Sequence, residues 1–288
     1  MGSLRGRRRL VPYLLLAPGI AWLVVFFAVP TLNQLYVSLQ EGTLEEGYTF
    51  TWNWSSYSGA FDTYREQFLR SIGYAATATV LALVISFPLA YFIAFKAGRW
   101  RNFLLLLIVV PFFTSYLVRT IAWQTILSDD GFVVSALQTV GLLGEDGRLL
   151  ATRTAVIAGI TYNFLPFMAL PLYVSLEKID GRLIEAATDL YASRAAAFRR
   201  VTVPLALPGI FAGSLLTFIP AVGDFINAQL LGTSRQYMIG NVIQSKFLVI
   251  TDYPVAAALS FLLTLALLVA IVVYARALGT RTLTQAAV

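Results

Sequence analysis

The sequence predicts an all-α membrane protein with six transmembrane helices. Of its 288 residues, 58% are apolar and 12% charged, against about 45–50% and roughly 25% in soluble domains. Six stretches reach the roughly 20 apolar residues that a bilayer core about 30 Å thick requires. The few charges are shared unequally between alternate connecting segments, as expected of loops on opposite sides of a membrane.

The first span reads as Leu10–Leu32. Its apolar run is too long for a secretory signal, and no small-residue cleavage site follows, so it is read as a retained helix. The segment from Asn33 to Phe68 is rich in aromatics and turn formers, among them Trp52, Trp54 and Tyr57. It reads either as a small folded outer cap, with a short helix leading into the second span, or as an interfacial aromatic belt. The second and third spans are Leu69–Phe95 and Phe103–Leu127. An outer loop, Ser128–Thr152, contains an apolar run (Phe132–Leu143) suited to a short interfacial helix. The fourth span is Thr154–Leu176. The fifth, Pro208–Leu231, is expected to break at Pro220 and Gly223, just before Asp224. Gly240–Ile250 reads as a further short outer helix, and Pro254–Tyr274 as the sixth span. The chain 1–288 reads as one membrane domain without internal repeats.

The charges give this arrangement a direction. One side collects Arg5, Arg7, Arg8 and Arg9, then Lys96, Arg99 and Arg101, then Lys178, Arg182, Arg194, Arg199 and Arg200, and finally Arg276 and Arg281. The other side has Arg65, Arg70, Arg148, Arg153, Arg235 and Lys246, with ten of the 15 carboxylates. The positive-inside rule then places both termini in the cytoplasm, which an even number of crossings allows.

The absence of Cys and His excludes Cys or His metal sites, thiol nucleophiles, Ser-His-Asp triads and disulfides. The lysines Lys96, Lys178 and Lys246 follow Phe, Glu and Ser, so the chain has no Walker A motif. No catalytic residue, metal or resident cofactor is expected, and the net charge of +6 speaks of topology rather than nucleic acid.

The segment 177–207 between the fourth and fifth spans stands apart. Leu183, Ala186, Ala187 and Leu190 recur at i, i+3, i+4 and i+7, the pattern of an amphipathic helix, with Asp180 placed to cap its start. A second short helix is expected after Ser193, through Phe198 to Val201, after which Pro204 and Pro208 stop it and start the fifth span. Such an ordered loop suits docking. The other reading is a surface helix lying on anionic lipid through Arg194, Arg199 and Arg200.

This loop resembles the E-A-A-x3-G-x9-I-x-L-P signature of ABC importer permeases. Glu185, Ala186, Ala187 and Pro204 match, Val201 and Val203 replace Ile and Leu, and Tyr191 stands at the usual Gly. Asp189, Ala192, Ser193 and Phe198 fall within the same loop. The stretches Pro111–Leu127, Phe218–Phe247 and Tyr253–Ser260 are similar to the spermidine/putrescine-type branch. The resemblance implies the type I importer permease architecture and a coupling loop seated in a groove of an ATPase dimer, where ATP and Mg would be bound. It also implies a second permease subunit, an external substrate-binding protein and a bacterial inner-membrane location. Polyamine is the cargo implied, with iron, thiosulfate or a small organic solute as alternatives. A glycine at the Tyr191 position would allow a left-handed turn, which Tyr adopts only at a cost.

Arg119 and Asp224 are charges inside apolar segments, where charge is functional by default. Counted along straight helices both sit about 24 Å up, which makes an ion pair one reading and an Asp224 facing the pathway another. Asn227, Tyr162 and Asn163 are polar candidates for the pathway, with helix packing as the alternative. Tyr116 and Trp123 flank Arg119 and offer cation–π contacts to an amine, or ordinary packing. Gly209 and Gly213 form a GxxxG that favours close packing, with a second permease as one candidate neighbour. A channel or secondary transporter working without an ATPase is the competing class of function.

Overall fold

The computed structural model describes residues 15–144 and 146–276. The arginines at 5–9, the first residues of the expected first span and Arg281 lie outside the described residues. In chain order the main elements are α1 (Leu15–Ser38), β1 (Gln40–Thr43), β2 (Gly47–Phe50), α2 (Ser55–Phe95), α3 (Arg101–Val109), α4 (Tyr116–Ile126), α5 (Phe132–Thr139) and α6 (Arg153–Glu177). They continue with α7 (Gly181–Asp189), α8 (Arg194–Val222), and α9 (Ile226–Leu231), α10 (Ile239–Leu248) and α11 (Tyr253–Tyr274). Five of these helices are long and apolar enough to cross a bilayer, and α3 with α4 forms a bent pair that brings the number to six if it is one span. The chain divides into two compact units.

One unit holds the described residues of 1–63 and 243–265. In α1, none of the most apolar window is buried. Pro30 has no N–H to return to the preceding turn, and a π turn over Val24–Ala28 precedes the α segment that Pro30 opens. The helix therefore continues to Ser38, past the expected end at Leu32. There the Ser38 hydroxyl meets Tyr57 Oη at 2.5 Å. β1 and β2 form an antiparallel hairpin with Gln40 opposite Phe50 and Thr43 opposite Gly47. Gly42, at φ +131°, lies against the Gly47 carbonyl, where no Cβ fits. Tyr36 stacks on Phe50 at 5.0 Å, and Phe50 meets Trp52 edge-on at 4.9 Å. The aromatic segment is thus a folded hairpin with its rings in series, and the strands went unseen because Gly and charged residues interrupt them.

The other unit holds the described residues of 64–242 and 266–288. Its centre is α6, whose most apolar window is 67% buried, as expected of a helix that is apolar all round. Met168, Leu172 and Leu176 of α6 are fully buried, with Ala82, Ala90 and Ile93 of α2 and Ala206 of α8 in the same cluster. Gly209 and Gly213 of α8 lie against Pro171, Leu172, Ser175 and Met168 of α6. An added Cβ would stand 2.7 Å from the Pro171 carbonyl at Gly209 and 3.0 Å from the Met168 carbonyl at Gly213. The GxxxG is therefore a seam within the chain, with α6 as its partner. At one end of α6, Arg101 bonds Tyr173 Oη and pairs with Glu177.

Three expectations are corrected here. The third span is not continuous: α3 passes into a 3-10 turn, Val110–Phe113, and α4 leaves at 96°. Pro111 cannot donate to the turn behind it, and Thr114 and Ser115 take extended ψ values of 142° and 139°. Pro204 and Pro208 do not end a short helix: α8 runs unbroken from Arg194 to Val222. A π turn over Phe198–Thr202 precedes Pro204, which then occupies the first turn of the following α segment. The break in the fifth span falls after Val222, at Gly223–Phe225, with Pro220 still inside the helix.

Candidate functional site

The corner between α7 and α8 is built by local rules. Asp180 Oδ1 accepts the Arg182 N–H at 3.0 Å and caps α7. At the other end the Ala192 N–H bonds the Ala187 carbonyl at 3.1 Å and the Tyr191 N–H bonds that of Thr188 at 3.0 Å. These two bonds define a Schellman cap, which requires a left-handed residue between them. Tyr191 is that residue, at φ +63°. Ser193 Oγ then accepts the Ala196 N–H at 3.2 Å and starts α8. Glu185, Ala186, Asp189, Ser193 and Pro204 are exposed, and Ala187 and Ala192 are half-buried. Phe198, expected with them, packs edge-on against Phe87 and Tyr91 of α2 at 5.5 and 5.8 Å. It fastens the start of α8 to the bundle.

A second polar group gathers where the fifth span breaks. Asp224 follows Gly223, and its Oδ1 accepts the N–H groups of Ile226 at 2.9 Å and Asn227 at 3.3 Å, capping α9. Its Oδ2 accepts Tyr116 Oη at 2.9 Å and Asn227 Nδ2 at 2.5 Å. Asn227 Nδ2 also donates to Tyr116 Oη at 2.6 Å. Asn163 Nδ2 donates to Asn227 Oδ1 and to Thr120 Oγ1, both at 3.2 Å. Donors therefore point along one line, from α6 through α9 and α4 to the carboxylate. Four donors meet the roughly four acceptor sites of a carboxylate, so Asp224, 7% exposed, is satisfied inside the chain.

Arg119 stands apart from this line. Its guanidinium lies 4.4 Å from the Phe112 ring centre and 5.8 Å from that of Tyr116. Its Nε and Nη1 have no hydrogen-bond partner, and no ion pair among the described residues joins Arg119 to Asp224. The expected pair fails because the helix counts assumed straight spans, whereas α4 leaves α3 at 96° and the fifth span is broken between Val222 and Ile226.

A protein-family model described as "binding-protein-dependent transport system inner membrane component" matches residues 86–281. The chain belongs to this family. It is a transport permease component. The spermidine/putrescine transport system permease protein PotB of Escherichia coli K12 is 38% identical over 90% of this chain and 94% of its own length. PotB of Haemophilus influenzae is 38% identical over 89% and 90%. A crystal structure of a bacterial alginate ABC transporter in complex with an alginate pentasaccharide-bound periplasmic protein superposes with a TM-score of 0.70. It does so at 21% identity, over 94% of both chains.

Within this permease the structure joins four of the six polar or aromatic pathway candidates, Tyr116, Asn163, Asp224 and Asn227, in one network. The other two, Trp123 and Tyr162, pack on each other edge-on at 5.3 Å beside it. Sequence reasoning missed Thr120 and Gly159. Thr120 lies one helical turn beyond Tyr116, and Gly159 one turn before Asn163, so the helical period carried the signal. An added Cβ at Gly159 would stand 2.6 Å from Asn227 Oδ1, so glycine there is what lets α9 approach α6. Asn241 was also missed. Its Nδ2 donates to the Phe225 carbonyl at 2.8 Å and its Oδ1 accepts the Met238 N–H at 2.9 Å, which ties the following segment to the break.

Proposed function

We propose that this chain is one of two permease subunits of an ATP-driven importer that takes polyamines such as spermidine or putrescine across the inner membrane. The observation that carries the reading is the similarity, along 90% of the chain, to permeases named for spermidine/putrescine transport. The family description, with its dependence on a binding protein, supports an extracytoplasmic partner that delivers the cargo. The exposed α7–α8 corner supports docking of an ATPase dimer, which would bind ATP and Mg. The unequal distribution of basic residues supports six crossings with both termini inside. ATP binding closes the ATPases, draws on the docked corner and swings the helices from inward-open to outward-open. The broken ends around Gly223–Phe225 line a cavity in this cycle, because freed backbone groups in a membrane must face protein or water.

The deciding experiment reconstitutes the permease pair with its ATPase in liposomes. Binding protein loaded with spermidine or putrescine should stimulate ATP hydrolysis. Stimulation by another solute but by no polyamine would overturn the cargo. Failure of any ATPase to associate would overturn the assignment as a subunit.

A further inference from the structure

Tyr191 is 99% exposed and the adjacent Leu190 is 82% exposed. The Tyr191 ring makes no aromatic contact, and its hydroxyl no hydrogen bond, among the described residues. Its backbone sits at φ +63°, a conformation that glycine takes freely and a bulky side chain takes under strain. The rest of the Schellman cap is intact, so the strain comes from the side chain alone. A protein that carries a bare aromatic ring on a strained cap gains nothing from it internally. Strain of this kind clusters at binding sites, and Tyr is enriched among interface anchors.

We propose that Tyr191 is the anchor by which this permease selects its ATPase. The inference rests on the reading of the α7–α8 corner as the ATPase dock. The cap aims the ring outward, and it enters an apolar pocket on the ATPase together with Leu190. Arg182, Arg194, Arg199 and Arg200 of the same corner are exposed, against the exposed acids Asp180, Glu185 and Asp189, and this basic excess suits an acidic rim on that pocket. An ATPase whose groove is shaped for glycine at this position has no room for the ring and is rejected, which gives the pairing its specificity.

The test measures binding of the purified ATPase to the permease pair in lipid nanodiscs, made with and without anionic lipid. Tyr191→Gly should weaken binding about 30-fold, Tyr191→Phe should bind as wild type, and Tyr191→Gly without ATPase should melt about 2–4 °C higher. Unchanged ATPase affinity in Tyr191→Gly overturns the proposal, whether the ring is then found free or, through a dependence on anionic lipid, in the membrane surface. A Glu185→Arg, Ala187→Glu double variant separates the two levels. If it still binds ATPase, the docking reading itself fails. If it loses binding while Tyr191→Gly keeps it, only the anchor fails.

Discussion

Tyr116 Oη donates to Asp224 Oδ2 at 2.9 Å, and this bond ties α4, the second half of the broken third span, to the break in the fifth. Tyr116 also accepts from Asn227, so the phenol is bonded on both sides. Tyr116→Phe keeps the ring and removes both bonds. It should cost about 1.5–3 kcal/mol, the range for a hydrogen bond to a charged group, read as a lower melting temperature in detergent. A variant as stable as wild type would show that the network does not hold α4 in place.

Arg119 and Asp224 occupy one region without pairing. A double-mutant cycle of Arg119→Met with Asp224→Asn should give a small coupling energy, because the two meet only through Tyr116. The cycle of Tyr116→Phe with Asp224→Asn should exceed it. Arg119→Met alone should keep the stem packed on Phe112 while removing a buried cation that lacks partners at Nε and Nη1. It is expected to leave the permease as stable or more so. A large Arg119–Asp224 coupling would restore the ion pair that the geometry denies.

The β1–β2 hairpin depends on Gly42, where an added Cβ would strike the Gly47 carbonyl across the turn. Gly42→Ala should open the hairpin and part Phe50 from Trp52, because it adds a steric clash to a disfavoured φ. The near-UV circular dichroism of the coupled rings should weaken as they separate. An unchanged spectrum would mean that the hairpin tolerates a slipped register.

What the sequence made legible follows from what hydropathy can report. Apolar length placed α6 within a residue of its ends, and Gly223 marked the break before Asp224. Hydropathy is blind to direction, however. Pro111 to Ser115 lie inside an apolar run, and nothing in that run announces a 96° bend. The same blindness let Arg119 and Asp224 be set at equal heights. Gly209 and Gly213 signalled close packing, but spacing names no partner, and the partner is α6. Asp180 was readable as a cap because capping is local, whereas the glycine usual at Tyr191 left the bend open, and its left-handed φ of +63° is shown by the fold.

Gly159 tests how tightly the polar network depends on helix approach. Its missing side chain lets Asn227 Oδ1 come up against α6, where Asn163 reaches it at 3.2 Å. Gly159→Ala forces α9 outward and strains the Asn163–Asn227 bond, so it should cost about 1–3 kcal/mol, as overpacking does. Asn227→Ala should also destabilise, because it withdraws a donor from buried Asp224. Combined, the two should cost less than their sum, since removing the Asn227 amide makes room for the methyl that Gly159→Ala introduces. The same Asn227→Ala paired with Gly213→Ala, whose crowded neighbour is Met168, should be additive. Additivity in both pairs would place the clash at Gly159 elsewhere, on Leu231, which also lines that contact.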